Sequence, residues 1–492
     1  MGLPALPDKR LPTWLVGGLA GYLIALKLVL VFFAQPQIDE TYYWLWGQHL
    51  ELSYLDHPAL HAWLQGLASW LLGWNLFAMR ALTLVTSGVT ICVLYDWCRR
   101  LAGERWLQAL CLTIALYYSS PILLIYSSLA LIDRLLLVLV MLAVHCLARF
   151  GTTWEAEGRL ALRWLYGGAV CLGLAVLSKY LGAVAGAAAI VVVLVRPGLR
   201  PLLRSPHLWL AAGLALAIQA PTVIWNSQSQ VTNTAFQLML SDAPPLQAIR
   251  WTEIVTILSE ALILLSPFCV PAIAVFLFRR SGPGLGGMLH ELSRWVFIVS
   301  SLGLLTLEVV FARDVIAYWN VLAYAAFFGL SAWFIRSRVL QLLQIGYGAV
   351  LSTLLVYHFT VFPFLDGRIG VRAGDFYGWD RIAAATAAAQ ASTGAAFVAA
   401  DNWESGSELA FAMRSPEVVS LSPRIDAYSQ WQDEQSLAGQ TAVVLEARDS
   451  LAALQTRFDS LELIRSIEAM SWGRPVRSYR LYLGRGFRPV AR

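Results

Sequence analysis

Asp39-Glu40-Thr41-Tyr42-Tyr43-Trp44-Leu45-Trp46, running on to Tyr54-Leu55-Asp56-His57-Pro58-Ala59-Leu60-His61-Ala62-Trp63, follows directly on the first long apolar segment of the chain. Two adjacent carboxylates, a third beside a histidine, and a dense set of tyrosines and tryptophans share this stretch. Aromatic rings with polar edges favour the headgroup layer of a bilayer, whereas unpaired carboxylates are expelled from hydrocarbon. The stretch is therefore expected to lie flat on a membrane surface, with its acids turned into a wet cleft. That arrangement suits an enzyme whose substrate is part lipid.

Composition agrees with a membrane setting. Of 492 residues, 58% are hydrophobic and 14% charged, with 20 tryptophans and a mean hydropathy of +0.61. A soluble chain carries about 25% charged residues, so this one reads as polytopic. The formal charge of +5 is small, and no basic tract with interleaved aromatics points to nucleic acid. Cys92, Cys98, Cys111, Cys146, Cys171 and Cys269 lie in or beside apolar segments without metal-ligand spacing, and read as small core residues. Lys9 and Arg10 precede an apolar run at 14–34 that is too long for a signal peptide and lacks a clear cleavage site, so a retained helix is expected.

Spanning segments are expected near 14–34, 78–97, 106–120, 131–148, 164–178, 181–195, 208–225, 252–278, 295–311, 319–335 and 340–360, about eleven in all. Arginines and lysines gather at alternate loops: Lys9 and Arg10, Arg99 to Arg105, Arg149 to Arg163, Arg196 to Arg204, Arg279 to Arg294, Arg336 and Arg338. The positive-inside rule then places the Asp39 loop on the opposite, outward side of the membrane, facing a periplasm or its equivalent. Beyond residue 361 polar residues arrive together, and short apolar runs at 395–400, 418–421, 441–445 and 479–483 alternate with helical stretches. The expected architecture is a mainly α membrane bundle over 1–360, with a small periplasmic α/β domain over 361–492 that caps the catalytic face.

Adjacent positions on a helix diverge by about 100°, so Asp39 and Glu40 cannot both face one partner. One is free to work while the other holds the loop, or both are solvated acids at the start of a helix from Thr41. Asp56-His57-Pro58 reads either as a helix start or as a histidine cation facing a phosphate. Asp133-Arg134, at one end of the fourth expected span, pairs an acid with a base at the mouth of a bundle. Lys179 is a cation on the side where the positive-inside rule disfavours one; it faces a phosphate or snorkels to headgroups. Trp225-Asn226 with Gln237, and Arg313-Asp314 with Tyr318-Trp319-Asn320, are weaker candidates in the next loops. Glu308 is an intramembrane acid, and His358 reads as a core histidine. No Walker A, GxSxG, HExxH or dinucleotide fingerprint competes.

The ordered set Asp39-Glu40-Thr41-Tyr42-Tyr43-Trp44, Tyr54-Leu55-Asp56-His57-Pro58, Leu131-Ile132-Asp133, Ser178-Lys179-Tyr180-Leu181-Gly182 and Pro221-Thr222-Val223-Ile224-Trp225-Asn226 resembles the bacterial branch of the dolichyl-phosphate-mannose protein mannosyltransferases. That branch includes the ArnT-like lipid A aminoarabinose transferases. The likeness recurs at Tyr377-Gly378-Trp379-Asp380 and Ser407-Glu408-Leu409-Ala410. It implies a GT-C glycosyltransferase that passes a sugar, with inversion, from a polyprenyl monophosphate to a lipid, glycan or protein acceptor of the envelope.

The resemblance assigns Asp39 as catalytic base and Asp133 as the second acid of the fold. It makes His57 the phosphate-facing position, where the aminoarabinose transferases have lysine, and Pro58-Ala59 stands where Pro-Pro is more usual. Substrate contacts are expected from Glu40, Tyr43, Asp56, His57, Lys179, Tyr180, Asn226 and Arg313. Cations on the protein suffice for a monophosphate leaving group, so no cofactor or obligatory metal is expected. The rival class is a transporter or flippase of polyprenyl-linked sugars, which predicts internal repeats and mid-bilayer charges; neither stands out.

Overall fold

The computed structural model describes residues 3–490 apart from 5, 7–10, 230–250, 312–315, 367–372 and 449, and leaves out the side chains of 308–311 and 373. Among the described residues, five helical stretches are long and apolar enough to cross a membrane: Thr13–Phe33, Leu76–Tyr118, Ile132–Glu157, Gly284–Leu307 and Arg338–Thr360. The chain is a multi-pass membrane protein with the helical bundle expected of it. The remaining expected spans are shorter or broken. Pro206–Ala217 meets Ala220–Gln228 at 45°, Trp251–Leu265 meets Pro267–Phe278 at 88°, and Tyr180–Val195 meets Pro197–Arg204 at 106°; counting each pair as one span gives up to eight.

The breaks have local causes. Pro267 lacks an N–H, and Ser266 before it takes a φ of 89°, turning its hydroxyl to accept from the Phe268 amide at 3.3 Å. The stretch 106–120 is the 13-residue helix Trp106–Tyr118, joined through a short turn to the helix before it. The stretch 319–335 divides into Ala317–Asn320, Val321–Phe328 and Ser331–Phe334.

Two compact units divide the chain. The first holds 1–28, 57–60 and 83–354. Its central helix, Ile132–Glu157, buries every residue from Ile132 to Val140 and packs along Leu162–Ser178. Gly182 closes the short turn Tyr180–Gly182 after that second helix, and a Cβ there would stand 2.5 Å from the Ala175 carbonyl carbon, so only glycine fits the turn.

The second unit holds 29–56, 61–82 and 355–492. Its sheet runs β2-β1-β3-β5-β4, with β1 Phe397–Ala400, β2 Val419–Ser420, β3 Ala442–Glu446, β4 Phe458–Ser471 and β5 Arg474–Phe487. β1 pairs parallel to β2 and β3, and β5 pairs antiparallel to β3 and β4. Trp472 and Gly473 turn the β4–β5 hairpin with φ of 48° and 74°, the left-handed pair that a tight hairpin requires.

Helix Ile38–Trp46 packs against helix Trp403–Met413 within this unit. The aromatic residues around it form a core here and not the surface belt the sequence led one to expect. Tyr42 is 3% exposed, and Trp44, Trp46 and Tyr54 are fully buried. Trp44 sits edge-on to Trp74 and Phe411, each at 5.9 Å, and Trp46 stacks on Tyr54 at 4.6 Å. Such ring pairs contribute about 0.5–1.5 kcal/mol each beyond the area they bury. The interfacial character moves to helix Leu60–Leu72, which buries His61, Ala62 and Gln65 and exposes Leu67, Trp70 and Leu71.

Candidate active site

The acid pair divides as helix geometry demands. The helix begins at Ile38, three residues before the expected start at Thr41, because Gln37 caps it. The Glu40 carboxylate reaches back to accept from the Gln37 amide at 3.1 Å, closing a capping box. Glu40 is fully buried, whereas Asp39 in the same first turn is exposed. Arg80 holds Glu40 through two parallel bonds, Nε to Oε1 at 2.8 Å and a terminal nitrogen to Oε2 at 2.6 Å. Its other N–H groups donate to the carbonyls of Leu30 at 3.0 Å, Val31 at 3.3 Å, Ala34 at 2.8 Å and Gln35 at 3.1 Å. One guanidinium thus caps the C-terminal end of helix Thr13–Phe33 and pins the N-terminal turn that presents Asp39.

The Asp56-His57-Pro58 motif is not an ordinary helix start. The following helix begins at Leu60, and the Asp56 carboxylate accepts from the Tyr42 hydroxyl at 3.2 Å and from Arg424 at 2.9 Å. Burial pushes the Asp56 carboxyl up from its ordinary range, while Arg424 and the Tyr42 hydroxyl pull it back. Tyr42 also accepts from the Ala427 amide at 2.9 Å, and Tyr43 lies edge-on to His61 at 5.7 Å. His57 is half-buried, next along the chain from Asp56 but grouped with the first unit.

Asp133 does not pair with its sequence neighbour. It occupies the first turn of Ile132–Glu157, 4% exposed, and accepts from Lys179 Nζ at 2.8 Å. Lys179 is neither a snorkelling side chain nor a helical residue: it ends Leu162–Ser178 in an extended conformation, φ −153° and ψ 134°. Arg134 turns the other way, donating to Thr83 Oγ1 and to the Leu129 carbonyl. Tyr180 opens the short turn after Lys179, and Asn226 donates back to the Thr222 carbonyl at 2.9 Å.

Asn320 bridges Ser300 and Ser301 at 2.7 and 2.9 Å. His358 is a buried core residue that accepts from the Leu365 amide at 3.3 Å. Gln237, Arg313, Asp314 and the side chain of Glu308 lie outside the described residues. Asp39, Glu40, Tyr43 and Asp56 belong to the second unit, and His57, Asp133, Lys179, Tyr180 and Asn226 to the first.

Three charged residues of these networks were missed by the sequence reading. Lys27 is the one charged residue of helix Thr13–Phe33, and Arg80 stands in an apolar run with no other charge before Asp96, signals that deserved weight. Lys27 is 3% exposed and donates to the Ser127 carbonyl, and to the Ser127 and Ser128 hydroxyls at 3.0 and 3.4 Å. It therefore holds the turn that precedes Asp133. Arg424, in the C-terminal domain, carried no such signal. Among the described residues no group of three or more histidines, cysteines or acids is arranged to hold a metal ion.

Comparison with known proteins decides the fold. ArnT from Cupriavidus metallidurans bound to undecaprenyl phosphate superposes with a TM-score of 0.66 at 15% identity, covering 95% of this chain and 98% of that one. The fold is the GT-C fold of ArnT. The apo state of the same protein matches with a TM-score of 0.52 at 18% identity over 95% and 97% of the two chains. A sequence model of the dolichyl-phosphate-mannose-protein mannosyltransferase family matches residues 56–225. The lipid A galacturonosyltransferase RgtD of Rhizobium johnstonii is 28% identical over 207 residues, 40% of this chain. The match spans 39% of the length of RgtD. The ArnT fold thus accounts for nearly the whole chain, while the family's sequence model matches residues 56–225.

Proposed function

We propose that this protein is an inverting glycosyltransferase that moves a sugar from a polyprenyl monophosphate to an acceptor of the cell envelope, at the periplasmic face of the inner membrane. The observation that carries the reading is the fold: it is that of a protein crystallised with undecaprenyl phosphate, and it presents one exposed acid on a helix whose neighbouring acid is fully committed to an arginine. The relative that modifies lipid A makes a phosphoglycolipid the favoured acceptor.

In this mechanism the Asp39 carboxylate takes the proton from the acceptor hydroxyl as its oxygen attacks the anomeric carbon. The bond from that carbon to the phosphate oxygen breaks, and its electron pair leaves with the polyprenyl phosphate. Attack from the face opposite the leaving group inverts the anomeric configuration. Lys179, steered by Asp133, and His57 supply positive charge to the departing phosphate. A cation fixed before the reaction costs no reorganisation during it, which favours Lys179 for this role because Asp133 already orients it.

The reading requires Asp39 to reach the donor that Lys179 holds. Asp39→Asn keeps the size and the helix position while removing the base. It is expected to leave expression and detergent-purified yield intact and to lower transfer by about a hundredfold or more. Normal transfer by that variant removes Asp39 as the base. Mass spectrometry of lipid A and envelope glycans from a deletion strain, set against its complemented parent, identifies sugar and acceptor together.

A further inference from the structure

Glu408 sits in the middle of helix Trp403–Met413, 1% exposed, and its Oε1 has no hydrogen-bond partner among the described residues. Two charged groups reach it from the elements packed on that side: Glu40 of Ile38–Trp46 and Arg80 of Leu76–Ala102. Arg80 has no bond left to give, since every N–H of its guanidinium already serves Glu40 or the carbonyls of 30–35.

Glu408 also lines a cavity of about 10 Å³, room for one water, together with Ile38, Trp379, Asn402 and Tyr479. The charged groups around that cavity are paired with one another, Glu404 with Arg448 and Asp375 with Arg477. Two carboxyls and one guanidinium are therefore enclosed together, and the geometry of the guanidinium is used up by one of the two. A second buried carboxylate here would stand without a cation, at a cost of several kcal/mol. Burial holds the Glu408 carboxyl well above its usual range, with the Glu40 carboxylate adding to the effect and Arg80 opposing it.

We propose that Glu408 is a positioning residue for the helix that carries Asp39. As a neutral acid it lets Trp403–Met413 stay seated on Ile38–Trp46, and on losing its proton it unseats the pair. The catalytic consequence rests on the role given to Asp39 above; the seating does not. The direction follows from linkage. The seated helix holds the proton to higher pH than the released one, so seating is fully stable under acid conditions and weakens as pH rises above the ordinary carboxyl range.

Hydrogen–deuterium exchange of the purified full chain in detergent tests this, read on peptides covering 38–46 and 403–413 between about pH 4 and about pH 8. Dividing the wild-type rate by that of Glu408→Gln cancels the intrinsic pH dependence of exchange. The ratio is expected near one at the acid end and to rise by up to about tenfold per pH unit toward the alkaline end. Glu408→Leu, apolar and of similar size, is expected to track the glutamine variant.

A ratio flat across the range overturns the proposal. So do neutral variants that exchange faster than wild type at every pH, because the carboxyl would then be needed for a bond and not for its neutrality. The same preparations carry the transfer assay. A rising ratio in a protein without transfer activity upholds the positioning role and rejects the enzymatic reading alone; a flat ratio with normal transfer does the reverse.

Discussion

Lys179 and Asp133 form a pair whose two members do different work. The carboxylate is 5% exposed and the ammonium 15%, so each compensates a charge that water barely reaches. Lys179→Met strands Asp133, and is expected to lower both the midpoint of thermal unfolding and the affinity for polyprenyl phosphate. Adding Asp133→Asn removes the stranded charge. The double variant should regain most of the lost stability while binding the donor no better than Lys179→Met, as measured by scanning fluorimetry and equilibrium binding. Recovery of both would mean that the lysine only neutralises the aspartate.

The division of labour at Asp39 and Glu40 was legible in the sequence, because the 100° step between adjacent helical positions forbids a shared role. Which acid was exposed was not legible. That depends on Arg80, 40 residues away, choosing Glu40. Arg424 is harder still, meeting Asp56 across 368 residues, and no local pattern foretells such a contact.

At the scale of elements, the turns are fixed by steric contacts that leave little tolerance. Gly182→Ala would drive a methyl group into the backbone of Ala175 and Val176, where no side chain can swing aside. The substitution is expected to cost about 1–3 kcal/mol and to lower the unfolding midpoint. A midpoint equal to wild type would show that the turn adjusts.

The Arg80 staple offers a second case. Arg80→Met leaves the Glu40 carboxylate buried and unpaired, an effect of about 3–5 kcal/mol, and Glu40→Gln in the same chain should return part of it in denaturation measured in detergent. The length of apolar runs located most helices, and short apolar runs at 395–400, 418–421, 441–445 and 479–483 fall on β1, β2, β3 and β5. β4 escaped because its residues are largely exposed and two irregularities, between Leu463 and Arg465 and between Ala469 and Met470, break its alternation. The kinks at 45°, 88° and 106° were equally hidden, since composition reports apolarity and not direction.

For the molecule as a whole, the second unit gathers segments from both ends of the chain. Asp56 ties its N-terminal part to Arg424 in its C-terminal part, and Arg424 also lies over the Trp403 ring at 5.4 Å. Burial raises the Asp56 carboxyl and Arg424 counteracts the rise. A group whose folded value is raised makes the fold less stable as pH climbs from the unfolded value to the folded one. Arg424→Ala should widen that window. Its unfolding midpoint is expected to fall more than that of wild type between about pH 4 and about pH 7. Parallel pH curves for the two proteins would show that the arginine does not govern Asp56.

The discontinuity of the second unit also sets an order of events during synthesis. Helix Ile38–Trp46 leaves the ribosome early, yet the strands that complete its unit end at Phe487, some 440 residues later. At about 5–20 residues per second, Trp44 waits roughly 20–70 s for Phe411, its partner from the C-terminal part. During that interval the nascent chain displays a greasy, half-made surface, an opening for proteases and for quality-control factors that closes only when translation is nearly done.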